Sequence, residues 1–377
     1  MMEAASSITS RMDTMFDSDT NDGQEVFLLK FEVCAEIQAQ GGVEMHVQEV
    51  FAGGVLDEGE EPEADPDVNS FYVYRFPDYV SAATAGALAI TDFNLSQKAL
   101  KVANVSNFLW IDRVAKIPEF EKALAGASIT TGRAAPIVQI VLYNIPGRDC
   151  ASLTPSSGDF EAGATGVEGY KKKFIDVIVE LSKKYPSIPV VVILEPRSLA
   201  SLITSLSVAR CAAVASDYKS SIIYALQALS TSPSITTYID ISNAAVLGWP
   251  ANIAPTAALL NQLYQAAGYP ASVRGFATNV GGYNLLENLS TSPVDPNPNS
   301  SELAYVQALT KALLSSASIS PFPAHAIINQ ARSGQGGKSQ TCNLRTAGVG
   351  PRPGVGVVVS SVVDAIVWTE RVGVGAS

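Results

Sequence analysis

The stretch that decides the fold class is IVQIVLYNIPGRDCA, residues 137–151. Its first part, Ile137–Tyr143, is a short apolar run that predicts a β-strand. Pro146 and Gly147 then end the run, and a polar segment with Arg148 and Asp149 follows. A short apolar strand that ends in a polar loop is one half of a β/α unit.

The pattern recurs from about residue 79 onward, where short apolar strands alternate with amphipathic helices. Helices are predicted at Gly169–Lys184 and Pro255–Ala267, among others. About seven repeats favour an α/β fold in which a parallel sheet closes into a barrel. The predicted strands are Asn107–Ile111, Ile137–Tyr143, Val190–Leu194, Thr236–Ile239, Gly275–Thr278, His325–Ile328 and Ala365–Trp368.

The N-terminal part of the chain has a different texture. Residues 25–55 alternate apolar and polar residues around Gly41-Gly42, which predicts a β-hairpin. Asp57–Asp67 holds seven acids and two prolines and indicates a solvated linker, although a calcium-binding loop is the alternative. We therefore expect an extension with a hairpin and an acidic linker over residues 1–75, followed by a barrel over residues 76–377.

The composition excludes several classes of function. Of the 377 residues, 47% are hydrophobic and 16% are charged, which suits a large core. A net charge of −11 argues against a nucleic-acid groove and against binding to anionic membranes. No apolar run approaches the roughly 20 residues of a membrane span. Two histidines and four cysteines without CxxC spacing argue against a metal site, and we expect no cofactor.

The cysteines leave two alternatives open. Cys150 and Cys211 each follow an apolar segment and could form a disulfide, but four free thiols fit the spacing equally well. The N-terminus has no apolar signal core, whereas four Asn-X-Ser/Thr sequons suit a secreted chain. The residues alone therefore leave the compartment open.

Polar and aromatic residues follow the predicted strands. Because the active sites of β/α barrels lie at the carboxyl ends of the strands, these residues are candidates for a site. Aromatic faces stack on sugars, and Asp, Asn and Arg bind hydroxyls, so the set favours a carbohydrate site, with a structural role for any one member as the alternative. The candidates are Trp110, Asp112, Tyr143, Arg148, Asp149, Glu195, Arg197, Asp240, Asn279 and Asn329–Ser333.

Several segments resemble, in order, glycoside hydrolase family 6, the fungal cellobiohydrolases and endoglucanases that act on β-1,4-glucan. Tyr143–Ala151 resembles the family signature YDLPDRDCAA, and Phe108–Asp112 matches the opening strand. The resemblance covers about residues 76–370 and implies a distorted seven-stranded parallel β/α barrel. The other matching segments are Val190–Leu206, Tyr238–Asn252, Arg274–Asn284, Asn329–Gly334, Cys342-Asn343 and Arg352-Pro353.

The resemblance also implies partners and contacts. It implies a disulfide between Cys150 and Cys211, a secreted monomer despite the missing signal peptide, and β-1,4-glucan or cello-oligosaccharide as the ligand. Trp110 and Trp249 are expected to be exposed along one cleft. Val246, Asn243 and Thr341 stand where the family has a tryptophan, a histidine and a tryptophan. The implied substrate-binding residues are Trp110, Asp112, Tyr143, Arg148, Asp240, Trp249 and Asn279.

The catalytic positions depart from the family pattern. The family inverts, with a general acid in its EPDSLA motif, and that position is Arg197 here. Arginine cannot donate a proton near neutrality because its pKa exceeds about 12. The partner aspartate is kept as Asp149, which the resemblance ties to support of the acid and activation of water. We expect Arg197 to form an ion pair with Asp149 or Asp240.

The C-terminal segment departs as well. The family continues with WVKPGGECDG, whose lysine, glutamate and proposed base are matched by Glu370, Val374 and Ala376. We therefore expect an open cleft, an unpaired Cys342, and glucan binding with impaired inverting hydrolysis. A non-catalytic glucan-binding protein is the alternative, and a misassembled gene product is a third reading suggested by the unusual ends.

Overall fold

The computed structural model describes seven stretches of the chain and the backbone of three short N-terminal strands. Those strands, β1 (Phe16–Asn21), β2 (Gln24–Leu29) and β3 (Phe51–Ala52), form an antiparallel sheet in the order β1-β2-β3. Gly41-Gly42 and Asp57–Asp67 lie outside the described residues, so the division at residue 75 stays a prediction. The seven described stretches are residues 73–130, 136–152, 158–288, 296–315, 321–335, 348–355 and 362–371.

Seven parallel strands form the main sheet, and all seven were predicted, with ends that shift by one or two residues. An eighth strand, β10 (Gly354–Val355), was not predicted and pairs antiparallel with the last one. The order is β10-β11-β9-β8-β7-β6-β5-β4. The parallel strands are β4 (Leu109–Ile111), β5 (Val138–Leu142), β6 (Val190–Leu194), β7 (Ile235–Asp240), β8 (Val273–Thr278), β9 (His325–Asn329) and β11 (Val363–Val367).

The sheet curls until its first parallel strand approaches the last. The backbone N–H of Phe108 donates to the carbonyl of Trp368 at 3.3 Å. The indole N–H of Trp110 donates to the carbonyl of Thr369 at 2.6 Å. These bonds join the ends of β4 and β11 without a regular ladder, so the barrel is distorted, as predicted.

Helices cover the outside of the sheet. Because strands such as β5 and β6 are buried along nearly their whole length, their Val and Ile side chains pack against helices on one face and against each other on the other. The helices are α1 (Pro77–Leu88), α2 (Phe93–Ala103), α3 (Ile117–Ser128), α4 (Ala164–Tyr170), α5 (Asp176–Lys184), α6 (Ser198–Thr204), α7 (Ala209–Leu229), α8 (Ala244–Leu247), α9 (Pro250–Ala266) and α10 (Glu302–Leu314).

Two helices were predicted by range. The helix predicted at Gly169–Lys184 is longer, because α4 and α5 are joined by a π-helical turn at Lys171–Ile175. The helix predicted at Pro255–Ala267 begins earlier, at Pro250, where the fixed backbone angle of proline suits the first helical position. Within the described stretches, every helix is too short or too polar to cross a membrane.

Candidate active site

Strained backbone marks the carboxyl ends of the parallel strands. Asp149, Glu195, Arg197, Ser242 and Asn279 all have positive φ angles, between 49° and 66°. Such a conformation costs a side-chain-bearing residue of the order of 1–3 kcal/mol and is concentrated at functional sites. Four of the five, all but Ser242, were candidates from the sequence. The structure places them at the same edge of the sheet.

Glu195 is buried beneath this edge. Its carboxylate accepts hydrogen bonds from the backbone N–H of Asn144 (3.1 Å) and Ile145 (3.0 Å) and from the hydroxyl of Tyr170 (2.9 Å). Burial raises the pKa of Glu195 to about 7, although these hydrogen bonds act to lower it. Glu195 therefore holds the turn after β5 in place and does not face the solvent. Its hydroxyl partner, Tyr170, lies within a helix, and no sequence motif had indicated it.

Asp240 fixes the neighbouring turn. Its Oδ1 accepts from the backbone N–H of Arg197 and of Ser242, both at 2.8 Å. Burial raises the pKa of Asp240 to about 7, against the effect of the two backbone hydrogen bonds. Its other oxygen, Oδ2, is buried and has no hydrogen-bond partner among the described residues. Asp240 therefore holds the backbone of Arg197, the residue that the sequence predicts at the acid position.

The side chain of Arg197 is exposed. Within the described stretches its guanidinium forms no ion pair, so the ion pair expected with Asp149 or Asp240 is not formed. The contact between Arg197 and Asp240 runs through the backbone N–H instead. The guanidinium extends toward the loop after β8, where its Nη2 lies 3.6 Å from the position that a Cβ on Gly281 would occupy.

Asp149 is half-buried and has one strong partner. The hydroxyl of Tyr143 donates to its Oδ1 at 2.5 Å. Burial, followed by the charge of Asp149, raises the pKa of Tyr143 well above its usual range, so the phenol stays a donor. The next residue, Cys150, is bonded to Cys211 with the two Cα atoms 5.0 Å apart, which confirms the predicted disulfide. The disulfide therefore anchors the loop that carries Asp149.

Arg148 and Asp112 form their observed contacts with other residues of the chain. The Nη1 of Arg148 donates to the carbonyl of Asp112 at 2.8 Å, and its guanidinium lies 4.5 Å from the ring centre of Tyr143. The Asp112 carboxylate pairs with Lys116 (3.0 Å) and Arg113 (3.3 Å). Burial acts to raise the pKa of Asp112, but these two cations outweigh it and lower the pKa. A sugar contact for either residue stays a prediction.

Two of the three tryptophans are accessible, as expected. Trp110 is partly exposed and meets Tyr143 edge-to-face, with ring centres 5.7 Å apart. Trp249 is 41% exposed, and its indole N–H donates to the carbonyl of Ala245 at 3.0 Å. The third, Trp368, is buried at the end of β11. The predicted exposure is confirmed, whereas a shared cleft stays a prediction.

Asn279 links the ends of β8 and β9. Its side-chain amide donates to the carbonyls of Asn284 (3.1 Å) and Asn329 (2.8 Å) and to the hydroxyl of Ser333 (3.0 Å). The residue is fully buried. Its predicted sugar contact is untested, and the observed bonds give it a role in holding the two strand ends together.

Glu370 brings a further carboxylate to the same edge. It accepts from the backbone N–H of Gly281 at 2.5 Å and from the amide of Asn329 at 2.8 Å, and it lies 3.9 Å from Arg332. The sequence had indicated it only as the residue opposite the family lysine. Cys342, Thr341, Val374 and Ala376 lie outside the described residues. Within the described stretches, no cluster of His, Cys, Asp or Glu is placed to hold a metal ion.

Comparison with known proteins decides the family. The model for glycosyl hydrolases family 6 matches residues 68–375. Exoglucanase 3 of Agaricus bisporus is 41% identical over 303 residues, which cover 79% of this chain and 66% of that protein. The chain belongs to glycosyl hydrolase family 6. It spans about two thirds of the length of the curated family 6 relatives that it matches.

Solved family 6 structures share the fold. The CcCel6A catalytic domain complexed with p-nitrophenyl β-D-cellotrioside superposes with a TM-score of 0.74 at 39% identity, covering 80% of this chain and 84% of that one. Cellobiohydrolase II (Cel6A) from Humicola insolens, in complex with glucose and cellotetraose, gives a TM-score of 0.71 at 34% identity, covering 79% and 84%. These likenesses confirm the predicted family and its barrel.

Three buried carboxyl groups make the stability of this family 6 protein depend on pH. Burial raises the pKa of Glu195, of Asp240 and of Glu302, on α10, to about 7. Between their ordinary values near 4 and about 7, the folded protein retains protons that the unfolded chain releases. We therefore expect the free energy of unfolding to fall by about 1.4 kcal/mol per pH unit for each group, with the loss complete above about pH 7.

Urea unfolding at a series of pH values between about 4.5 and 8 measures this effect. Asp240→Asn keeps an acceptor for the two backbone N–H groups but cannot ionise, so its stability should fall less steeply with pH. Glu119→Gln, at an exposed position on α3, serves as the control and should keep the wild-type slope. Stability that stays flat or rises with pH across this window would contradict the assignment.

Proposed function

We propose that this family 6 protein binds β-1,4-glucan or cello-oligosaccharides at the carboxyl edge of its barrel, with inverting hydrolysis impaired. The family membership supports the ligand class, since one relative is an exoglucanase and a related structure is a complex with glucose and cellotetraose. The impairment is inferred from the carboxylates at the edge.

The burial and hydrogen bonding of three carboxylates support the impairment. Inverting hydrolysis needs two carboxyl groups roughly 6.5–9.5 Å apart, one of them protonated and both in reach of the sugar. Glu195 and Asp240 are fully buried and occupied with backbone N–H groups, so only Asp149 of the three motif carboxylates is accessible. Arg197 occupies the acid position and cannot supply the proton. The leaving oxygen therefore lacks a donor from these motifs.

Binding needs less than catalysis, and the groups for it are present. Trp110, in β4, and Tyr143, directly after β5, form an aromatic corner, and the exposed Trp249 lies at the start of α9. Aromatic faces of this kind stack on the apolar faces of glucose units. These exposed rings support glucan binding even where turnover is slow.

A second candidate is a glucan-binding protein without any turnover. It is favoured by the guanidinium of Arg197, which is exposed, forms no ion pair within the described stretches, and by the family resemblance carries its positive charge where the family protonates the leaving group. The two candidates differ in one measurement. A slow release of reducing sugar from cellotetraose supports residual hydrolysis, and no release over days supports the binding protein.

We further propose that the protein is a monomer that acts outside the cell, with no nucleic-acid or membrane partner. The disulfide between Cys150 and Cys211 supports this location, because such bonds persist in oxidising compartments. The net charge of −11 argues against nucleic acid and anionic lipid.

Binding can be tested through Trp249. We expect cellotetraose to change the tryptophan fluorescence of the wild-type chain and Trp249→Ala to weaken binding by about 3- to 10-fold, because one aromatic contact contributes about 0.5–1.5 kcal/mol. Titrations followed by fluorescence and by calorimetry measure both effects.

Tyr269→Ala is the matched control. Tyr269 is 41% exposed, like Trp249, but it precedes β8 and so lies at the amino end of the barrel. Its loss should leave the affinity unchanged. If wild-type protein gave no heat and no fluorescence change with cellotetraose, the proposed ligand class would be wrong.

A further inference from the structure

Two arginine side chains approach Gly281 on the side where a Cβ would stand. A Cβ placed on this residue would lie 3.6 Å from Nη2 of Arg197 and 4.0 Å from Nη2 of Arg332. Beyond the adjoining backbone, no other described heavy atom comes within 4 Å of that point. The glycine therefore leaves a space that two guanidinium groups border. Because Gly281 has a φ of 72°, a side chain there would also be strained, which keeps the space open.

The two arginines differ in how they are held. Arg332 is buried, lies over the ring of Tyr283 at 4.4 Å, and has Glu370 at 3.9 Å, so its position is fixed and its charge is partly offset. Arg197 is exposed and forms no ion pair with a carboxylate in the described stretches. The space above Gly281 therefore retains a positive charge in a protein whose net charge is −11.

This space and the aromatic corner of the proposed cleft belong to the same edge of the sheet. Arg197 follows β6, Gly281 follows β8 and Arg332 follows β9, so all three lie at the carboxyl edge of the sheet. The Trp110–Tyr143 pair stands at the same edge, because Trp110 lies in β4 and Tyr143 directly follows β5, the neighbour of β6. A saccharide that stacks on this pair would present its next units to Arg197.

We propose that Arg197 and Arg332 form a carboxylate-binding subsite above Gly281, and that the protein prefers β-1,4-linked saccharides carrying uronic acid units to neutral cello-oligosaccharides. The proposal rests on the proposed function, since the charged unit lies in the same cleft. A planar guanidinium binds a carboxylate through two parallel hydrogen bonds, and oxidation at C6 adds that carboxylate without changing the β-1,4 backbone. The substitution that removes the acid thus creates a contact for an anionic sugar.

Calorimetry on the full 377-residue chain at low salt tests the subsite. The probes are cellotetraose, β-1,4-linked tetraglucuronic acid and cellotetraonic acid, which carries its carboxylate at C1 only. We expect tetraglucuronic acid to bind about 10-fold more tightly than cellotetraose, the factor expected of one charge-assisted contact. Arg197→Gln should abolish the preference, and Arg197→Lys should keep part of it because it retains the charge.

Arg75→Gln is the control for net charge. Arg75 is exposed and lies beside the start of β5, at the opposite end of the barrel, so its loss should leave the preference unchanged. Equal affinities for the neutral and uronic tetramers would overturn the subsite and leave the proposed function standing. Failure of all three saccharides to bind would overturn both. Tighter binding of cellotetraonic acid would support the subsite and assign its carboxylate to the reducing end.

Discussion

Replacing Arg197 by aspartate is expected to raise the rate of cellotetraose hydrolysis about 100-fold over the wild-type chain. General acid catalysis contributes roughly 10²–10⁴-fold, and the lower end applies because the family's base position is matched by Ala376. The backbone tolerates the change, since φ at this position is 66° and aspartate accepts left-handed angles better than most residues. The hydrogen bond from the backbone N–H to Asp240 does not depend on the side chain.

Arg197→Asn is the control that isolates proton donation. Asparagine has the shape of aspartate and fits the same backbone, but it cannot act as an acid. A β-cellobiosyl fluoride gives a second control, because fluoride departs without protonation and its hydrolysis should not rise in Arg197→Asp. If Arg197→Asn accelerated cellotetraose hydrolysis as much as Arg197→Asp, the gain would come from removing the arginine side chain and not from proton donation. Rapid hydrolysis by the wild-type chain would overturn the impairment itself.

Removing the disulfide is expected to lower the free energy of unfolding by about 4 kcal/mol, because the bond between Cys150 and Cys211 closes a long loop. The two cysteines are 61 residues apart, and both are buried. The double variant Cys150→Ser/Cys211→Ser should therefore unfold at a much lower urea concentration. Since Cys150 adjoins Asp149, the variant should also weaken any contact that Asp149 makes with a bound sugar.

A reductant provides the matched comparison. Dithiothreitol should lower the stability of the wild-type chain toward that of the double variant, and it should leave the variant unchanged. Urea unfolding followed by fluorescence measures both. A wild-type chain with the same midpoint with and without reductant would show that the bond contributes nothing to stability.

Local patterns were sufficient for the architecture. Apolar runs such as Val190–Leu194 are short, rich in valine and isoleucine, and bounded by polar or proline-containing loops, so each parallel strand could be found within one or two residues. The family motifs then supplied the pairing of Cys150 with Cys211, which spacing alone had left open. Strand β10 was missed because two residues with Gly354 carry too little pattern.

The site was only partly accessible to such reasoning. Glu195, Asp240 and Asn279 were recognised as residues at strand ends, but their partners were not. The hydroxyl that binds Glu195 comes from Tyr170, the last residue of α4, and nothing in that segment distinguishes it from other buried tyrosines. The expected ion pair of Arg197 failed because the backbone, and not the side chain, faces Asp240.

By itself the sequence determined the parallel β/α order and the family, and it predicted the loss of the proton donor at Arg197, because each depends on residue type or on short-range periodicity. The tertiary structure alone decided which acids are accessible and which are enclosed, and it brought Arg197 and Arg332 together above Gly281. Burial and long-range hydrogen bonds join residues far apart in the chain, and the curl of the sheet sets which of them meet. The accessibility of a carboxylate follows from that curl, which no local stretch of sequence encodes.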